Sequence, residues 1–288
     1  VLTRIGSGRT LTLVSGNFAF TGNGTAVSAL SLGALTSSWG GNTVSLNNAG
    51  AANATLTFAS MASVAGGSVL TFASNGAFNA TTRSLVFTTA PALTNGIINR
   101  AVMVDSAGVN FVTGAAATAI SAYAAYTASD GTGTSSDLSF TNANGGVARG
   151  LNASNVAGSF SAITNYKVTG GTAAQSNPGL NNRTINALKI EGVGTDVTFA
   201  ASGGNQLTLS SGNLLATAAS QSIGNATLAA AGSPTLLAFG STEAALLVAS
   251  GADLTVTAAL SNSNNVTDRK STRLNSSHEW ISRMPSSA

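Results

Sequence analysis

Leu11-Thr-Leu-Val-Ser-Gly-Asn17 and Leu207-Thr-Leu-Ser-Ser-Gly-Asn213 agree at six of seven positions, although they lie near opposite ends of the chain. Each carries two leucines two residues apart. In an extended strand that spacing points both side chains to one face. Each then turns on Ser-Gly-Asn, residue types that tolerate the backbone of a tight corner. A short strand followed at once by a corner, and used twice, is the unit from which the rest of the chain is read.

The same unit recurs throughout. Leu56-Thr-Phe-Ala-Ser60 returns unchanged as Leu70-Thr-Phe-Ala-Ser74, and Val27-Ser-Ala-Leu-Ser-Leu32 parallels Ile185-Asn-Ala-Leu-Lys-Ile190. Period-two pairs continue at Leu85/Phe87, Leu138/Phe140, Val197/Phe199, Leu237/Phe239 and Leu254/Val256, with Thr, Ser or another small residue between. Gly, Asn and Ser clusters such as Gly22–Thr25, Gly40–Asn42, Gly66–Ser68, Asn144–Gly146 and Gly203–Asn205 separate them. Degenerate strand-and-turn repeats at irregular spacing predict a solenoid. An outer-membrane barrel would need longer strands and aromatic girdles, and a sandwich would need large aromatic anchors; aromatics are only 6% of this chain. The fold expected is all-β, a right-handed parallel β-helix open at both ends, its like residues stacked at about 4.8 Å. At about 20–25 residues per coil it would hold roughly a dozen coils. Residues 88–172 are less regular and are the expected protrusion. Within them Ala115–Ala128 has helix propensity, but its Thr/Ser/Gly-rich flanks and lack of a charged face favour strand and loop.

Composition narrows the class. Charged residues are 7%, against about 25% in ordinary soluble domains, yet 43% of residues are hydrophobic and mean hydropathy is +0.27, which excludes a disordered chain. The pI of 9.7 is misleading. Val1–Thr267 holds eight basic and seven acidic residues, scattered, so no clustered cationic surface for nucleic acid exists. There is no cysteine, in keeping with export in an unfolded state. No apolar run is long enough to span a membrane. The start at Val1, without a signal peptide, reads as a fragment, and open strand edges on so uncharged a chain predict poor solubility when isolated.

At Asp268 the composition breaks. Asp268–Ala288 holds six charges in 21 residues, against fifteen in the preceding 267, together with the only histidine, His278. The segment resembles the translation of a common short-read sequencing adapter. The domain reading is therefore 1–267 as a solenoid passenger fragment and 268–288 as a non-native tail.

Arg183-Thr-Ile-Asn-Ala-Leu-Lys-Ile190, Leu207–Leu215, Asp253-Leu-Thr-Val256 and the segment Pro91-Ala-Leu-Thr-Asn-Gly-Ile97 resemble the autotransporter-associated β-strand repeat proteins of planctomycete-like bacteria. That resemblance implies a secreted, pectin-lyase-like β-helix passenger at the cell surface, outer-membrane-associated in the full-length protein. Its function would be structural or adhesive, as an adhesin toward a surface or glycan ligand. It also allows edge-to-edge self-association.

The residues leave little for catalysis. Without a native histidine or cysteine, neither a Ser-His-Asp or Cys-His triad nor a zinc site with nitrogen or sulfur ligands can be built. No catalytic, cofactor-binding or metal-binding residue is assigned, and no cofactor and no nucleic-acid partner is expected. The first alternative is a carbohydrate-active β-helix enzyme, a polysaccharide lyase or glycoside hydrolase. It needs two carboxylates about 5–10 Å apart, drawn from Asp105, Asp130, Asp137, Glu191 and Asp196. The second is a self-assembling surface fibre subunit. Glu191-Gly-Val-Gly-Thr-Asp196 narrowly misses a calcium-binding repeat, and Gly6-Ser-Gly8 lacks the third glycine and lysine of a phosphate loop. Within 1–267, seven Asn-x-Ser/Thr sequons, at Asn23, Asn53, Asn79, Asn152, Asn182, Asn225 and Asn265, are read as corner asparagines.

Overall fold

A computed structural model of the chain describes residues 7–129, 138–141, 147–150, 162–169, 183–198, 206–224, 236–240, 242–261 and 266–270. Every regular element among them is a β-strand. The ladders are parallel except for three antiparallel pairs at Ala101–Asp105 with Gly108–Thr113, Gly108–Thr113 with Ser121–Ala122, and Leu138–Thr141 with Val147–Gly150. The chain is a β-solenoid, as the period-two pattern predicts.

The register shows why. Leu30 pairs with Leu56 and Leu56 with Leu85; Leu32 pairs with Phe58 and Phe58 with Phe87. Like residues thus stand over one another, and the Phe58 and Phe87 rings stack with centroids 5.7 Å apart. Beyond the Thr88–Arg100 excursion, Leu207 pairs with Leu237 and Leu237 with Leu260, and Val197 pairs with Ile223 and Ile223 with Val256. Coils are longer than expected. The offset between parallel paired strands runs from 22 residues (Asn165 to Ala187) to 48 (Val147 to Thr195), and the chain forms about seven coils rather than a dozen. Corners take up the extra length, as in the passage from Ala73 to Arg83.

These coils form two stacks, each with its own core. Leu13 to Ile120 supply the first, which includes Phe20, Phe58, Phe72 and Phe87. Tyr166 to Ala258 supply the second, built on Ile185, Leu188, Leu209, Leu214 and Phe239. A third cluster joins them, with Val69, Ile97, Val102 and Phe111 from the first half of the chain and Ala187, Leu215 and Leu247 from the second. The outer faces of Ser68–Ala73 and Ala101–Asp105 therefore rest against those of Arg183–Ile190, Gln206–Ala216 and Ala244–Val248. The solenoid is laid side by side with itself along a buried seam.

The expected protrusion at 88–172 is corrected over its first part. Ile98, Met103, Val112 and Ile120 enter the first core, and Ile97 and Phe111 enter the seam. Ala117 and Ile120 donate to the carbonyls of Phe87 and Leu85 at 2.8 and 2.9 Å. The backbone of 115–120 thus covers the strand edge that Arg83–Phe87 would otherwise expose, one of the ways an open sheet is protected. Ala115–Ala128 contains no helix, as its flanks indicated. The ladder continues through Val266–Lys270, which pairs with Ala244–Val248 and runs past the composition break at Asp268. Parallel pairing joins backbone to backbone, so it makes no demand on the side chains there.

Candidate functional site

Charged and amide side chains gather along the seam. Thr94–Arg100 leads from the last coil of the first stack and lies across the second. Asn95 Nδ2 donates to Asn186 Oδ1 at 2.8 Å, and Asn165 Nδ2 donates to the Asn95 carbonyl at 2.7 Å. Asn186 Nδ2 donates to Asn165 Oδ1 at 2.6 Å. Asn213 donates to Asn99 Oδ1 and accepts from the Arg100 backbone N–H at 3.2 Å. Asn165, Asn186 and Asn213 are fully buried. A buried amide must find partners or forfeit about 1–3 kcal/mol, and here partners come from both stacks. Asn95 and Arg100 hold positive φ angles of 51° and 59°, the backbone strain that presents this segment to the seam.

Two ionic groups close the seam. Arg100 Nη1 meets Glu243 Oε2 at 2.9 Å, with side-chain exposures of 8% and 11%. The same carboxylate accepts the Gly67 backbone N–H at 2.8 Å. The second group is Lys189, Glu191 and Lys167. Lys189, 3% exposed, pairs with Glu191 and donates to Asn110 Oδ1 across the seam, while Lys167 lies 3.3 Å from Glu191. Both lysine ammoniums sit 5.8 Å from the centre of the Tyr126 ring.

Burial lowers the Lys189 pKa, and its hydrogen bond to Glu191 opposes that shift. Burial alone would raise Glu191. The hydrogen bond from Lys189 and the charges of both lysines outweigh it, so the carboxyl titrates below its ordinary range. Burial pushes the Tyr126 phenol well above its ordinary value. Its hydroxyl lies beside the Phe111 backbone without completing a hydrogen bond of ordinary geometry. These shifts describe a polar seam held between two apolar cores, with the charged forms of Lys189 and Glu191 kept by each other.

The acids considered for catalysis are distributed as follows. Asp105 accepts the backbone N–H of Ala107 at 2.8 Å, closing its own turn, and that of Phe78 at 3.0 Å, tying it to the preceding corner. Asp196 accepts the Ser222 hydroxyl of the next coil, and Asp253 accepts the Ser220 N–H. Glu191 and Glu243 belong to separate ionic groups. Asp130 and Asp137 lie outside the described residues, as does Gly6 of the glycine pair. At the near-miss calcium repeat, the Thr195 hydroxyl donates to the Glu191 and Gly192 carbonyls at 2.6 and 3.0 Å. Among the described residues no group of three or more acidic or histidine side chains could hold a metal ion. A shallow apolar notch opens on the seam between Val69, Val102, Leu215 and Leu247.

Sequence reasoning missed the seam. Its signal was present in Ala101-Val-Met-Val104, Leu214-Leu-Ala216 and Ala244-Ala-Leu-Leu-Val248, continuous apolar runs that mark strands buried on both faces. Among the described residues no helix is long and apolar enough to cross a membrane. No family model, no curated protein and no solved structure matches the chain.

Proposed function

We propose that the chain is a non-enzymatic structural or adhesive passenger of autotransporter type, secreted or displayed at a bacterial cell surface. One observation carries this reading: each of the five described acids in 1–267 already holds the fold together. Asp105 closes a turn, Asp196 and Asp253 tie one coil to the next, and Glu191 and Glu243 close the seam. A general acid or nucleophile needs a carboxyl free to face substrate. The repeated coil instead supplies length, and its outer positions carry small polar residues such as Ser31 above Thr57. Such rows suit many weak contacts along a side, which add by multivalency.

The full chain incubated with polygalacturonate, alginate and neutral glycans is expected to release no unsaturated or reducing ends, while being retained on an immobilised surface polysaccharide. Turnover abolished by Asp130→Asn or Asp137→Asn would replace this reading with the carbohydrate-active enzyme.

A further inference from the structure

Three sequons fall within the described residues, and all three lie on one column of corners. Asn23-Gly-Thr25 joins Asn17–Gly22 to Ser28–Asn48. Asn53 ends the corner that joins that strand to Ala54–Met61, whose first two residues complete its sequon, and Asn79-Ala-Thr81 lies in the corner that joins Ser68–Ala73 to Arg83–Phe87. Backbone bonds tie the corners together: Ala52 N–H donates to the Gly24 carbonyl at 3.1 Å, Ser28 N–H to Asn53 at 2.8 Å, and Ala54 N–H to Thr82 at 3.1 Å. The approach is so close that a Cβ on Gly50 would stand 2.1 Å from the Gly24 oxygen.

Their side chains do different things. Asn79 is a turn residue in full. Its Oδ1 accepts the N–H groups of Thr81 and Thr82 at 2.8 and 2.6 Å, and its Nδ2 donates to Ala77 and Thr82 at 3.1 and 2.9 Å. Asn23 is exposed; its Oδ1 accepts the Thr25 hydroxyl at 2.7 Å, and its Nδ2 donates to none of the described residues. Asn53 is exposed, and its side chain makes no hydrogen bond among the described residues. The corner therefore needs the Asn79 amide and leaves those of Asn23 and Asn53 presented to solvent. The surroundings give that presentation a purpose. Thr10 to Thr82 is 73 residues without one Asp, Glu, Lys or Arg. Such a surface lacks the charge that ordinarily keeps strands apart, and both amides stand within it.

We propose that Asn23 and Asn53 are acceptors for an N-linked glycan, delivered from a polyprenyl-diphosphate-linked oligosaccharide, and that Asn79 is not. In the transfer the carboxamide Nδ2 bonds to C1 of the donor sugar and loses a proton to a base of the transferase. The bond from C1 to the diphosphate oxygen breaks, and the polyprenyl diphosphate leaves with its electrons. The glycans would project sideways from the corner column, clear of the strand ladders, and hydrate the uncharged stack. The assignment rests on the passenger reading, since it needs an exported chain.

The folded full chain, mixed with a purified Asn-x-Ser/Thr transferase and its lipid-linked oligosaccharide, is mapped by glycopeptide mass spectrometry. Peptides spanning each sequon serve as flexible references. All three peptides are expected to be modified, but only Asn23 and Asn53 in the folded chain. Asn23→Gln and Asn53→Gln each remove one glycan, and Thr25→Ala removes the one on Asn23. Folded chain unmodified at Asn23 and Asn53 beside modified peptides overturns the proposal, as does Asn79 modified equally well. Fractionation of the producing cells separates the two readings. An exported but unglycosylated chain overturns the glycan alone, whereas a chain confined to the cytoplasm overturns both.

Discussion

Leu11–Asn17 and Leu207–Asn213 are nearly one sequence in two surroundings. In the first copy Leu11 and Gly16 are half-buried, Thr12, Val14, Ser15 and Asn17 are exposed, and only Leu13 is buried. In the second, Leu207, Leu209, Ser211, Gly212 and Asn213 are all buried. Their downstream partners are laid out alike. Leu11 pairs with Leu35 and Asn17 with Thr43, while Leu207 pairs with Leu237 and Asn213 with Ala245, so the partner strand gains two residues across the corner in both cases. The second copy differs in having Arg183–Ile190 paired on its other side and the Thr94–Arg100 segment over its corner. The heptapeptide encodes strand, corner and inward face. Its burial, and most of its worth to stability, comes from what is stacked on it.

The shell around the second copy is where this contrast is broken most severely. A Cβ on Gly212 would stand 2.3 Å from the Glu243 carbonyl oxygen, and the Glu243 carboxylate holds Arg100. Glu243→Ala leaves the guanidinium buried without its counter-ion and is expected to cost about 3–5 kcal/mol, read from the urea midpoint. Next comes the leucine pair: Leu207→Ala is expected to cost about 2–5 kcal/mol, because a fully enclosed site cannot collapse around the lost atoms. Leu11→Ala, with solvent on one side, is expected to cost no more than about 1 kcal/mol. The two corner asparagines follow. Asn213→Ala strands Asn99 and the Arg100 N–H and is expected to cost about 1–3 kcal/mol. Asn17→Ala is expected to fall within about 0.5 kcal/mol of the parent.

A gentler probe of the same seam is pH. The carboxyl of Glu191 titrates below its ordinary range in the folded protein, chiefly because its bond to Lys189 and the lysine charges overcome the cost of burial. A group lowered on folding contributes stability that is present above its unfolded pKa and lost as pH falls through the folded one. The urea midpoint is expected to decline below the ordinary glutamate range, and Glu191→Gln to flatten that decline. An unchanged acid slope in Glu191→Gln would remove this carboxylate from the seam's stability.

What could be read beforehand follows from the physics of a single strand. Alternation in Leu56-Thr-Phe58 and Leu85-Val-Phe87 reports an inward face, and Gly-Asn clusters report corners, so the solenoid was legible. Coil length was not, because corners such as 74–82 absorb residues without altering the alternation on either side. Nor was the seam, since it joins residues distant in sequence, such as Asn95 and Asn186, that no local pattern relates. Ala101–Val104 and Ala244–Val248 carried the clue, but a continuous apolar run can serve either a strand buried on both faces or a buried helix. The acids were legible as residues and illegible as roles. Glu243 looks like a solvated corner acid until Arg100 and Gly67 are placed beside it.

The sharpest form of the comparison removes the sequence difference altogether. Val14→Ser turns the first copy into Leu-Thr-Leu-Ser-Ser-Gly-Asn, identical to residues 207–213. If the heptapeptide itself determined its burial, this substitution would bring the first copy toward the second. Val14 is 60% exposed and pairs with Trp39 at the edge of the stack, where little apolar area is withdrawn from water. The expected change is therefore within about 0.5 kcal/mol. Amide exchange at residues 11–17 is expected to stay fast while that at 207–213 stays slow, because slow exchange belongs to strands covered on both sides. Equal protection of the two identical heptapeptides would mean that something beyond the described strands covers the first, and the contrast between them would fall.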